Sequence, residues 1–203
     1  MIFDKLGNLF GVTSAGGAAN LGTVFRLSSS NQGRSWTESV LHSFLGGSDG
    51  ANPSASLTLD ANGNLYGTTA HGGPSGKCFQ AACGTVFRLT RNAGSWTERV
   101  LYSFQGGNDG QYPYARVGFD TKGNLYGTTS QGGSVSVYYG TIFRLTPNGT
   151  GWQEQVVHSF QGYPDGDEPM AGLLLGPNGN FYGTTSGDAM LLGTGTVFEL
   201  HTP

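Results

Sequence analysis

The residues best equipped for chemistry are four carboxylates in the last quarter of the sequence, Asp165, Asp167, Glu168 and Asp188. Any two of them facing each other across a cleft would serve glycoside hydrolysis, one as acid and the other as base or nucleophile. That reaction needs carboxyl groups about 5–5.5 Å apart for retention, or about 6.5–9.5 Å for inversion. His71 and Lys77 add a base and a cation, and Tyr138 and Tyr139 add aromatic faces on which a sugar ring can stack. Apart from Asp165, all of these residues occur in a single copy of a repeated sequence. That sets them apart from residues that every copy keeps for structure, although ordinary drift in loops would leave the same trace.

Other polar residues recur. Asp49, Asp109 and Asp165 each precede a glycine, and three carboxylates on one face could hold a cation or a sugar. Aspartate before glycine is also the residue choice for an Asx-turn, which is the preferred reading. His42 and His158 take the position of Tyr102 and read as packing residues. Trp36, Trp96 and Trp152 read the same way, with sugar stacking as the alternative. Cys78 and Cys83, the only cysteines, read as a loop-closing disulfide and not a metal site, since no third or fourth zinc ligand stands nearby. Closing so small a loop contributes roughly 2 kcal/mol, and a disulfide points to an oxidising compartment.

The elements that must position these residues follow from a repeat. GNLYGTT at 63–69 has near-copies at 7–13, 123–129 and 179–185. A period of that size, carried by short aromatic and β-branched runs between Gly/Asn turns, marks a stacked repeat architecture. The second copy shows four strand-like pieces, at 53–60, 64–69, 84–90 and 95–104, bounded by turn residues. In the last piece Trp96, Glu98, Val100, Tyr102 and Phe104 are expected to share one face. Arg26, Arg88 and Arg144 on the third strand are expected to face Glu38, Glu98 and Glu154 on the fourth as cross-strand ion pairs or, equally, as separately solvated charges. Four-stranded units at this spacing predict an all-β fold, a β-propeller of about four antiparallel blades in a single domain over 1–203. The copies span about 1–44, 53–104, 113–160 and 169–203, the last without its outer strand.

Composition agrees. The 203 residues include 36 glycines and only 11% charged residues, a balance suited to tight turns between short strands. A net charge of −3 gives no reason to expect a nucleic-acid partner. No stretch resembles a membrane span or a signal peptide. There is no G-x-S-x-G elbow, H-E-x-x-H, phosphate loop or dinucleotide fingerprint, so neither a cofactor nor a metal is expected.

The pattern P-x-A-x-L-x-x-D-x-x-G-N-L-Y-G-T-T-x-x-G-G, followed by G-T-V-F-x-L and W-x-E-x-V-L-x-S-F-x-G-x-x-D-G, resembles the GloVer (Gloeobacter/Verrucomicrobia) tandem repeat, and more loosely NHL-type propeller blades. The resemblance implies a secreted or surface-displayed bacterial protein with no established reaction and no catalytic residues to carry over. The function expected is an extracellular interaction module that binds glycan or protein on the face where the long loops gather; the rival is the glycoside hydrolase above. A monomer is favoured over two chains that complete a larger ring.

Overall fold

A computed structural model describes residues 1–30, 34–73, 78, 82–92, 94–134, 139–187 and 195–202. It contains four antiparallel sheets arranged as a four-bladed β-propeller. The first blade holds β1 (Ile2–Phe3), β2 (Leu9–Thr13), β3 (Thr23–Ser30) and β4 (Ser35–Ser43). The second holds β5 (Thr58–Leu59), β6 (Leu65–Thr69), β7 (Thr85–Asn92) and β8 (Ser95–Ser103). The third holds β9 (Gly118–Phe119), β10 (Leu125–Thr129), β11 (Thr141–Asn148) and β12 (Gly151–Ser159). The fourth has three strands only, β13 (Leu174–Leu175), β14 (Phe181–Thr184) and β15 (Val197–Leu200). Each strand pairs with its neighbour in sequence, as hairpin connection requires.

Every blade has a leading face, toward the blade before it, and a trailing face, toward the blade after it. Phe10, Val24 and Phe44 on the trailing face of blade one meet Leu57, Leu65, Phe87 and Leu89 on the leading face of blade two. The same positions recur in the second seam, where Tyr66, Val86 and Phe104 meet Val117, Leu125, Phe143 and Leu145. In the third, Tyr126, Ile142 and Phe160 meet Leu173 and Phe181. The core is therefore three copies of one seam, and only in the middle blades do inner strands, β6 and β10, bury every residue on both faces. Close packing also fixes the glycine of the GNLYGTT motif: a Cβ on Gly67 would lie 2.6 Å from the Phe87 ring.

The two outer surfaces of the stack differ. Val197, on the trailing face of blade four, is 82% exposed, whereas its equivalent Val86 is wholly buried. On the leading face of blade one Phe3 is 65% and Val40 55% exposed.

Three sequence expectations change. The first strand of a blade is not 53–60 but two residues, because Pro53 has no N–H to donate and the segment before β5 lies at the axis. There Thr68 Oγ1 donates to the Ala115 carbonyl of the next blade, at 3.0 Å. The fourth strand does not keep one face throughout. A bulge between Val86 and Phe87 pairs Phe87 with Val100 but Val86 with Tyr102, so Leu101 is the extra residue. Trp96, Glu98 and Val100 stay on the leading face while Tyr102 turns to the trailing face. The Arg–Glu ion pairs do not form. The register sets Glu38, Glu98 and Glu154 opposite Leu27, Leu89 and Leu145, on the face away from the arginines. Arg88 instead lies opposite Tyr66 and meets its hydroxyl.

Candidate functional site

The connections between blades run over the long-loop face and are sewn to the loops within blades. Ala51 and His71 exchange backbone hydrogen bonds at 2.8 and 3.1 Å, and Gln111 and Gln131 do the same. At the next residue the chain turns left-handed in all three connections, at Asn52, Tyr112 and Glu168 (φ 55, 58 and 48°). This residue clasps two blades. The Tyr112 N–H donates to Cys83 of one blade and its carbonyl accepts from Ser130 of the next. Asparagine tolerates this conformation well and a bulky side chain does not. Copy three nonetheless places a tyrosine there.

From the clasp the chain descends along the axis. Alternate residues point into the seams, Ala55 and Leu57 in copy two and Ala115 and Val117 in copy three, and are buried. The residues between them, Ser54 and Ser56, Tyr114 and Arg116, Met170 and Gly172, differ from copy to copy. Ser56, Tyr114, Arg116, Met170 and Gly172 line one cavity of about 350 Å³, and because three blades contribute, it lies on the axis. Tyr114 stacks on Tyr112 with ring centroids 6.3 Å apart and planes at 28°. The His71 ring meets Tyr112 edge-on at 5.6 Å. Burial holds the His71 imidazolium below the usual histidine range, and burial followed by the Tyr112 neighbour raises the Tyr114 phenol. The site thus sets an imidazole and two phenols beside one guanidinium.

The other predicted residues have defined places. Asp49, Asp109 and Asp165 anchor turns. Each carboxylate accepts from a backbone N–H four residues back, at Leu45, Gln105 and Gln161. Each also binds one ring of the outer strand, Asp49 to His42 at 2.9 Å, Asp109 to the Tyr102 hydroxyl at 2.8 Å and Asp165 to His158 at 3.0 Å. In two seams a glutamate from the next blade completes the group. His42, Asp49 and Glu98 bring three possible metal-ligand atoms within 4.8 Å of one another. That donor set could take a divalent cation, yet the second seam builds the same node from Tyr102, Asp109 and Glu154, with a phenol in place of the imidazole. The node is a structural joint in both. Burial, and then the neighbouring aspartate, pushes Glu98 and Glu154 up to about 7.

Asp167 is 2% exposed, and its backbone bonds to Gly187 and Ser186 as Ala51 and Gln111 do in their copies. Glu168 is exposed at the clasp, and the Tyr139 carbonyl accepts from its N–H. Cys78 and Cys83 form a disulfide, with Cα atoms 5.4 Å apart. Lys77, Tyr138 and Asp188 lie outside the described residues. Trp96 packs on Phe10 and Trp152 on Tyr66.

A second cavity, of about 290 Å³, opens on the short-turn face between the first two blades beside Trp96, Arg26 and Arg91. Among the described residues no helix is long and apolar enough to cross a membrane.

Sequence reasoning overlooked Tyr112, Tyr114 and Arg116. Their signal was copy-to-copy variation at alternate positions of 52–57, 112–117 and 168–173, against a constant Ala or Leu/Val at most positions between. The chain matches the Gloeobacter/Verrucomicrobia repeat over residues 1–198. Comparison with curated proteins gave no match.

Proposed function

We propose a non-catalytic binding role for this chain, which belongs to the Gloeobacter/Verrucomicrobia repeat family. It is an interaction module that takes a glycan, or a protein segment offering similar groups, on its long-loop face at the mouth of the axis. The observation that carries this reading is the stacked Tyr112–Tyr114 pair, beside His71, over a cavity that also holds Arg116 and Ser56. Flat aromatic faces cover the apolar side of a sugar ring, and a guanidinium and a hydroxyl can meet its oxygens. Binding is favoured over hydrolysis because Asp165 is committed to a turn and Asp167 is buried beneath the strand bridge it forms with Gly187. The disulfide supports an oxidising, extracellular setting.

The test is retention on a glycan array and in polysaccharide affinity gels. Tyr114→Ala and Arg116→Ala are expected to abolish retention without altering the circular dichroism spectrum, since both side chains face the cavity. Arg91→Ala, at the second cavity, is expected to leave it intact. Retention that survives both axial changes, or release of reducing sugar by the wild-type chain, would overturn the reading.

A further inference from the structure

We infer that the chain associates head to tail with a second copy of itself, the trailing face of blade four seating on the leading face of blade one. This does not depend on any ligand.

Three seams within the molecule show what these faces are built to do. In each, the valine or isoleucine of the third strand is buried on the next blade: Val24 and Val86 completely, Ile142 all but completely. Val197 occupies the same position in blade four and is 82% exposed; Leu174, on the first strand of that blade, is 65% exposed. The complementary face is bare as well. Phe3 pairs with Leu9 as Leu59 pairs with Leu65, yet Leu59 packs in the first seam and Phe3 is exposed. Trp36 is 44% exposed, whereas Trp96 and Trp152 each cover a ring of the preceding blade. One chain thus carries one unused copy of each half of an interface that it forms three times internally, and exposed apolar faces of this kind mark contact sites.

Charge supports a seam between the two ends. Blade four has Glu199 where the other blades have Arg26, Arg88 and Arg144; it lies opposite Tyr182 as they lie opposite Phe10, Tyr66 and Tyr126. Blade one in turn has the exposed Arg34 two residues before Trp36, where the other copies have Gly94 and Thr150. The arginine that blades one to three direct at the next blade is replaced by a carboxylate, and the receiving blade supplies a cation. Propellers typically hold about four to eight blades, and two copies joined at both ends would make eight.

Analytical ultracentrifugation of the purified chain is the test. Wild type is expected to sediment at twice the 21.2 kDa of one chain. Phe3→Asp and Val197→Asp, changed at exposed positions, are each expected to give a monomer with an unaltered circular dichroism spectrum. A wild-type monomer at the highest soluble concentration would overturn the inference. A dimer that survives one of the two substitutions would do so too, since it would join like faces, and so would an open series of larger species.

Discussion

The seam between blades two and one and the bare leading face of blade one are built from nearly the same residues, and only one of them is a core. Leu65, Phe87 and Leu89 are completely buried; their equivalents Leu9, Phe25 and Leu27 are partly exposed. The strands, their register and even the bulge are alike in both blades. What differs is the neighbour. A blade is therefore shaped by its own hairpins but stabilised by the blade it leans on, as expected of a repeat whose units cannot bury their faces alone.

The sharpest way to break this comparison is to truncate the same ring in both places. Phe87→Ala is expected to lower stability by about 3–5 kcal/mol, the usual loss for a fully enclosed phenylalanine. Phe25→Ala should cost less than half as much, since its ring already faces water on one side. Urea unfolding in the Val197→Asp background, which keeps the end faces bare, measures both. Equal losses would mean that the end face of blade one is covered after all.

A smaller difference is expected from adding a methyl group beneath each ring. A Cβ on Gly67 or on Gly11 would lie 2.6 Å from the tip of the phenylalanine ring beside it, Phe87 or Phe25. Phe87 is held by Leu57 and by Phe44, whose ring centroid is 5.2 Å away, and has nowhere to go. Gly67→Ala should cost about 1–3 kcal/mol through overpacking. Phe25 can swing toward solvent, so Gly11→Ala should cost a fraction of that. If Gly11→Ala proves as costly, the rigid unit is the single blade and not the seam.

The repeat itself was legible because each blade needs the same tight turn between its first two inner strands. Asp60 shows why: its carboxylate accepts from the backbone of Asn62 and Asn64 and from the Asn64 side chain, so D-x-x-G-N recurs in the first three blades. The fourth has Gly176 in place of the aspartate, and its Asn178 side-chain carbonyl oxygen accepts from the Asn180 N–H. The bulge at Leu101 was not legible. No glycine or proline marks it, and an apolar run reads the same with or without an extra residue. That one residue moved Tyr102 to the other face and hid the joint it forms with Asp109 and Glu154. The axial site was half legible: His71 stood out as a departure from the repeat, but Tyr114 and Arg116 lie in a stretch whose strand-like alternation suggested packing alone.

The two joints offer the smallest and most specific comparison. Glu98 and Glu154 are carried by outer strands that face a preceding blade, and burial raises both to about 7 from an ordinary value of 4.5. Glu38 holds the same position in blade one, where no blade of the same chain precedes it, and is exposed; the Val197→Asp background, in which these urea titrations are run, keeps it so. A carboxyl that binds its proton more tightly in the folded state stabilises the protein while it is protonated. That contribution is complete below about pH 4.5 and is lost as pH rises toward 7. Each site is partly open to water, so the slope should fall well short of the about 1.4 kcal/mol per pH unit that one proton allows. Urea midpoints should therefore decline between pH 4.5 and 7 and level off above. Glu98→Gln should remove part of the decline, because the amide stays neutral throughout, and Glu38→Gln should remove none. The same change in profile from both substitutions would show that the decline belongs to the net charge of the chain and not to the seams.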